Sequence, residues 1–166
     1  MIKEDKKQAG LFCESDPSAA RRLSDSGFGR MNGNQPVFHP LEVAYMLKLG
    51  IASSDRTLQK FVAGQAKRDR RFPFAFDVYS CIRQTGRIVR PYSGKEGAGY
   101  LRAYAPGAGR LEERPSHIIC LLPGKAPSAN SLGREIAIAH KVRLDLIVAY
   151  GEPGSVRFVK VAAFNF

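Results

Sequence analysis

Apolar positions in the first half of the chain recur at the spacing of amphipathic helices. This pattern predicts helices over residues 18–27, over residues 40–49 and from about residue 54 onward. Pro40 suits the first position of the second helix, and Gly50 suits the position just after its end. The apolar faces are formed by Ala19, Ala20 and Leu23, by Leu41, Val43, Ala44, Met46 and Leu47, and by Leu58, Phe61, Val62 and Ala66.

The pattern changes in the second half. Residues 74–86 predict another helix, which Gly86 ends, and residues 128–142 predict a further one. The other segments are rich in β-branched and aromatic residues, which is typical of strands. Strands are predicted at residues 87–91, 100–104, 117–122, 143–150 and 155–166.

Together these elements predict an α/β (α+β) protein of two small domains. Residues 1–72 are expected to form a helix-rich domain with a small sheet, and residues 73–166 a mixed sheet flanked by helices. The boundary is placed in the basic, Pro-containing residues 66–74. Residues 27–36 are rich in Gly and Asn and are interpreted as turn and loop.

Charge and cysteine content narrow the classes of function. A net charge of +11 favours a polyanionic partner such as RNA, and the alternative is a solvated basic surface. Cys13, Cys81 and Cys120 are widely spaced, so we predict no metal site and no disulfide framework, as in a reducing cytoplasm. The sequence contains no apolar run long enough for a membrane span, and it implies no cofactor.

Two stretches of the chain carry motifs in a recognisable order. Residues 20–50 combine a Gly-containing turn with an apolar helix, and residues 78–166 combine a helix, strands and a closing hairpin. In order and spacing these motifs resemble the archaeal-type tRNA-intron splicing endonucleases. The matching positions include Phe28, Gly29, Leu41, Glu42, Ala44, Tyr45, Leu47, Gly50, Tyr79, Arg83, Gly86 and Val89. The resemblance implies that the second domain has the nuclease-like fold of this family.

The resemblance also implies a metal-free cleavage of RNA. In this family a ribose 2′-OH attacks the adjacent phosphate, with a Tyr as base, a His as acid and a Lys that stabilises the transition state. Tyr104 occupies the position of the Tyr, and it is either a relic of a base or a packing residue. When the next strand is aligned on Pro123, Arg114 falls at the position of the His, and Leu144 falls at that of the Lys. The resemblance therefore predicts the non-catalytic, structural subunit of a heterotetramer that contains a catalytic endonuclease subunit and acts on precursor tRNA.

The end of the chain carries the predicted assembly residues. In this family an acidic residue in the turn of the last hairpin docks into a basic pocket of a neighbouring subunit, and here that residue is Glu152. The alternative is an ordinary solvated turn residue, and Asp145 is a second candidate for docking. The last strand is apolar on both faces, which predicts either an interface strand or a central strand of its own sheet. Its candidate interface residues are Val156, Phe158, Val159 and Val161.

Two other functions stay open from the sequence. The chain would be an active endoribonuclease if a displaced set of Tyr104, His117 and Lys141 performed the acid–base chemistry. Alternatively, it would be a basic RNA-binding module unrelated to splicing. In the assembled complex with precursor tRNA, a group of arginines is predicted to contact the RNA, namely Arg83, Arg87 and Arg90.

Overall fold

The computed structural model describes residues 1–5, 10–92, 99–105 and 114–161. These residues form a mixed α/β protein with five helices and two sheets. The chain separates into two compact units, and the division falls between Phe76 and Asp77, inside the fourth helix. Among the described residues, no helix is both long enough and apolar enough to cross a membrane.

The first unit combines three helices with a four-stranded sheet. Its elements are β1 (Ile2–Glu4), β2 (Phe12–Glu14), α1 (Pro17–Asp25), β3 (Arg30–Asn32), β4 (Gln35–Phe38), α2 (Pro40–Leu49) and α3 (Leu58–Arg68). The strands are antiparallel in the order β1-β2-β4-β3. Phe38, Val43 and Met46 are fully buried in its core, and the ring of Phe12 on β2 packs against that of Phe61 on α3.

The interpretation of residues 27–36 as turn and loop is correct for residues 27–29 and 33–34 and wrong for the two short strands beside them. Strands β3 and β4 form a hairpin there, with a two-residue turn at Gly33 and Asn34. The Gly- and Asn-rich composition marks this turn, because Gly33 has a positive φ of 60°. The same composition gives no sign of the strands, because β4 is stabilised by residues far away in the sequence. It pairs with β2 through Phe38–Phe12 and Val37–Cys13.

Helix α2 has the boundaries that its sequence predicts. Pro40 is its first residue, and Gly50 follows its end with a left-handed φ of 68°. His39 Nδ1 accepts a hydrogen bond from the Leu41 N–H at 3.2 Å, and Glu42 Oε2 accepts one from the His39 N–H at 2.8 Å. Glu42 Oε1 also accepts the Gly29 N–H at 2.8 Å. The buried Glu42 carboxylate therefore joins the start of α2 to the turn before β3.

We expect the first unit to lose stability as the pH falls from about 6.5 toward 4. Burial of the imidazole and the nearby charge of Arg30 lower the pKa of His39 from 6.5 to about 4. Between these values the unfolded chain binds a proton that the folded chain does not, so stability rises with pH in this window. The full shift corresponds to at most about 3.5 kcal/mol, because each pKa unit corresponds to about 1.4 kcal/mol.

The midpoint of unfolding, measured between pH 7 and pH 4.5, tests this expectation. The His39→Asn variant keeps an acceptor at the cap of α2 but does not titrate. Its stability should therefore fall less over the same interval than that of the unmodified chain. An equal fall in both proteins would show that His39 does not contribute to the pH dependence.

The second unit contains a five-stranded mixed sheet and two helices. Its elements are the part of α4 (Phe72–Gln84) that follows Phe76, β5 (Val89–Pro91), β6 (Tyr100–Ala103), β7 (His117–Pro123), α5 (Ala129–Val142), β8 (Asp145–Glu152) and β9 (Ser155–Val161). The strand order is β5-β6-β7-β8-β9. Strands β7 and β8 are parallel and α5 connects them, whereas the other neighbours are antiparallel. These helices and strands confirm the pattern predicted for the second half.

Helix α5 covers one face of this sheet. A buried cluster on that face consists of Ile118, Cys120, Ala139, Leu146 and Val148. The buried carboxylate of Glu135 accepts a hydrogen bond from the Tyr100 hydroxyl at 2.6 Å and fixes the helix to β6. Because side chains alternate along a strand, residues 117, 119 and 147 lie on the opposite face.

Candidate functional site

The turn between β8 and β9 presents an exposed carboxylate. Glu152 is exposed at the end of β8, and Pro153 and Gly154 form the turn that follows it. Gly151 and Gly154 have positive φ values of 114° and 83°. A Cβ atom on Gly151 would collide with the carbonyl oxygen of Ser155, so this position requires glycine. The order of glycine and proline therefore determines the shape of the turn that carries Glu152.

Two further contacts hold this turn in place. Asp77 on α4 accepts the Gly154 N–H through Oδ2 at 2.8 Å. At the base of the hairpin, Gly124 and Gly151 exchange backbone hydrogen bonds of 2.8 and 3.0 Å. The turn is thus fixed to a helix and to the end of β7, and Glu152 projects from a supported position.

Strand β9 forms the edge of the sheet in the part of the chain that the structure describes. It pairs with β8 from the Glu152–Ser155 pair to the Leu146–Val161 pair, and it is the last strand in the sheet order. The alternative of a central strand therefore does not apply to the described part of β9. Residues 162–166 of the predicted strand lie outside the described residues.

The exposed side chains of β9 are unusually apolar for an edge strand. Phe158 and Val159 are 42% and 41% exposed, and Val156 and Val161 are half-buried. Edge strands with free backbone groups and apolar side chains tend to pair with another chain unless they are protected. These four residues, which the sequence marked as interface candidates, therefore lie along an edge strand suited to a protein partner.

His117 is the first residue of β7 and belongs to a charged group on the face opposite α5. Its Nδ1 lies 2.7 Å from Ser116 Oγ, and its Nε2 lies 3.8 Å from Asp145 Oδ2. Lys160 on β9 forms an ion pair with Asp145 at 2.9 Å. Burial of the imidazole, followed by the positive charge of Lys160, lowers the pKa of His117, and Asp145 opposes this shift. The hydrogen bond from Lys160 lowers the pKa of Asp145.

The structure places Arg114 before β7 and not at its start. Aligning this strand on Pro123 placed Arg114 at its beginning, but β7 starts three residues later, at His117. Arg114 is an exposed residue that precedes the strand. The difference arises because the alignment fixed the end of the strand and assumed its length.

The three arginines predicted to contact RNA lie around Tyr104. Arg87 Nη1 donates a hydrogen bond to the Tyr104 carbonyl oxygen at 3.3 Å, and the Arg90 guanidinium lies 5.8 Å from the centre of the Tyr104 ring. Arg83 Nη1 donates to the Arg87 carbonyl oxygen at 3.5 Å. The structure thus brings together Arg83 at the end of α4, Arg87 in the segment after it and Arg90 on β5.

The displaced set of Tyr104, His117 and Lys141 is not brought together. Lys141 is exposed in the last turn of α5, which covers the face of the sheet opposite to His117. Leu144 packs against the buried cluster on that same face. The cation that the structure places beside His117 is instead Lys160. Lys160 was not predicted from the sequence, because only the pairing of β8 with β9 brings it close to His117. The one signal in the sequence was a charged residue within an otherwise apolar strand.

Comparison with known proteins adds no relative. No protein-family model matches the sequence, and no curated protein shows significant similarity to it. Within the described ranges, no group of three or more His, Cys, Asp or Glu side chains could hold a metal ion. The functional argument therefore depends on the chain's own residues.

Proposed function

We propose that this chain is the structural subunit of a heterotetrameric tRNA-intron splicing endonuclease and that it assembles with a catalytic subunit to cleave precursor tRNA. The observation that carries this proposal is the exposed Glu152 turn beside the open edge of β9. A supported acidic turn and an apolar edge strand in one unit are suited to docking with other subunits. The motif order of the sequence resembles that of a family in which such docking is expected.

A structural rather than catalytic role is supported by the residues around Leu144. The family uses a Lys at this position to stabilise developing negative charge, and a leucine packed against an apolar cluster cannot provide it. Lys141, the nearest cation along the sequence, lies on the helix that covers the face opposite His117. In the assembled enzyme the chemistry then belongs to the partner subunit.

The basic residues of the chain suit a role in binding the RNA substrate. The net charge is +11, and Arg83, Arg87 and Arg90 lie together near Tyr104. Arginines bind phosphate oxygens with paired, charge-assisted hydrogen bonds and release counterions from the RNA. In this proposal they contact the backbone of precursor tRNA while the partner subunit cleaves it.

A cleavage assay tests the proposal. The purified chain is expected to leave a bulge–helix–bulge RNA intact, whereas a mixture with the catalytic subunit of the same organism should cleave it to a 2′,3′-cyclic phosphate and a 5′-OH. The catalytic subunit alone provides the control, and it should be less active than the mixture. Full activity of the catalytic subunit without this chain, or failure of the two proteins to associate, would contradict the proposal.

An active endoribonuclease is a second candidate, and one observation favours it. His117 is the first residue of β7, which is the strand position where the family places its general acid. Ser116 contacts the imidazole, and Lys160 and Arg87 supply positive charge nearby. Cleavage by the chain alone, lost in the His117→Ala variant, would favour this candidate over the structural subunit.

A further inference from the structure

A cavity of about 500 Å³ lies between α4 and the sheet of the second unit, on the face opposite α5. This volume is within the range of about 300–1,000 Å³ that is typical of small-molecule sites. Its lining combines an apolar part with several polar groups. The apolar part is formed by Ile82, Ala103, Ile119, Ile147 and Phe158, and the polar part by Cys81, Thr85, Arg87, His117 and Lys160.

The polar part of the lining includes two cations, Arg87 and Lys160. Arg87, between α4 and β5, and Lys160, on β9, each contribute a positive charge. Asp145 is a carboxylate beside them, and it is paired with Lys160 at 2.9 Å. Arg87 is held by its hydrogen bond to the Tyr104 carbonyl oxygen, which involves one of its five N–H groups. Burial lowers the pKa of His117, and the positive charges of Lys160 and Arg87 lower it further. An anion is therefore the complementary ligand.

The apolar part of the lining suits a flat ring. Phe158 is 42% exposed, and its ring contributes to the cavity wall beside two isoleucines. An aromatic side chain next to aliphatic residues offers a stacking surface for a nucleobase, and such stacking is largely independent of base identity. A ligand that fills both parts of the cavity has a planar ring and an anionic group.

We propose that this cavity binds a nucleoside phosphate, with the base on the Phe158 side and the phosphate held by Arg87 and Lys160. This site goes beyond the proposed assembly role, because all its residues belong to this chain and to one unit. Side chains alternate along β9, so Phe158 and Lys160 face the cavity whereas Val159 and Val161 point to the other face of the sheet. The backbone edge of β9 therefore stays available to a partner chain when the cavity is occupied.

Calorimetric titration of the isolated chain with 5′-AMP, adenosine and inorganic phosphate tests this proposal. We expect 5′-AMP to bind about tenfold or more tightly than either adenosine or phosphate, because only 5′-AMP occupies both parts of the cavity. Adenosine that binds as tightly as 5′-AMP would overturn the proposal. Absence of 5′-AMP binding up to millimolar concentration would also overturn it.

Substitutions of cavity residues test whether 5′-AMP binds in this cavity. Arg87→Gln and Lys160→Gln should each weaken 5′-AMP about tenfold and leave adenosine unchanged, since each removes a charge-assisted hydrogen bond to phosphate. Lys125→Gln is the matched control, because Lys125 is exposed in the segment after β7 and does not line the cavity. Lys160 is on an edge strand, so its variant remains informative if the Arg87 variant does not fold. Unchanged 5′-AMP affinity in the Lys160 variant would overturn the proposal.

A chemical readout localises the ligand independently. Cys81 lines the cavity and is exposed, whereas Cys13 is half-buried and Cys120 is buried. Bound 5′-AMP should slow alkylation of Cys81, and adenosine at the same concentration should protect it less. Alkylation of Cys81 at an unchanged rate when 5′-AMP is bound would place the nucleotide elsewhere and overturn the proposal.

The calorimetric titration also distinguishes a site for a free nucleotide from a site for a nucleotide at the end of an RNA strand. A 5′-phosphorylated dinucleotide that binds at least as tightly as 5′-AMP would indicate that the cavity accepts the end of a strand, and weaker binding would indicate a free nucleotide. Both results support nucleoside phosphate binding. The Glu152→Ala variant should bind 5′-AMP normally, so loss of assembly and loss of the nucleotide site are distinguishable.

Discussion

Replacing Glu152 with alanine is expected to dissociate the proposed heterotetramer into heterodimers while each chain stays folded. The side chain is exposed in the isolated chain, and the turn that carries it is held by Asp77 and by the Gly124–Gly151 bridge, so its removal leaves those contacts intact. In a basic pocket of another subunit the carboxylate would form charge-assisted hydrogen bonds. Removing one partner of such a buried charge pair costs about 2–5 kcal/mol, which corresponds to about thirtyfold or more in a dissociation constant.

Sedimentation of the mixed subunits measures this effect, and cleavage of precursor tRNA should fall with the loss of tetramer. Asp145→Ala tests the second docking candidate in parallel, because Asp145 is an exposed carboxylate at the other end of β8, where it pairs with Lys160. If Asp145→Ala breaks the tetramer and Glu152→Ala does not, the docking residue has been assigned to the wrong end of the strand. A Glu152→Ala complex that stays tetrameric and active would show that Glu152 is a solvated turn residue.

The largest loss of stability is expected from Glu42→Ala in the first unit. Glu42 is 3% exposed, and its two oxygens accept the backbone N–H groups of Gly29 and His39, each at 2.8 Å. Alanine would leave these two donors without this acceptor, and each unsatisfied buried donor costs about 1–3 kcal/mol. We therefore expect the free energy of unfolding to fall by about 2–5 kcal/mol.

Chemical denaturation at pH 7 measures this change, and Glu4→Ala is its matched control. Glu4 pairs with Arg68 at 3.0 Å, but both side chains are about half exposed. An exposed ion pair contributes about 1 kcal/mol or less. Glu42→Gln keeps an acceptor oxygen and should lie between the two variants. Equal losses from Glu42→Ala and Glu4→Ala would show that the Glu42 contacts do not stabilise the unit.

Local signals in the sequence determined most of the secondary structure. Pro40 and Gly50 set the limits of α2, because proline has the φ of a first helical residue and glycine adopts the left-handed φ that ends a helix. Alternating and β-branched residues identified β5 to β9, and the Pro153–Gly154 turn placed Glu152 between the last two strands. These features depend on neighbours along the chain, which a sequence displays directly.

Only the tertiary structure decided which of these residues meet. Strands β3 and β4 are too short to show a pattern of their own. They are stabilised by pairing with each other and by the pairing of β4 with β2. Lys160 lies near His117 because β9 pairs with β8 and β8 with β7, whereas Lys141, which is far closer to Asp145 along the chain, lies on the helix over the opposite face. Strand order and the choice of face follow from pairings between distant segments, and no local periodicity records them.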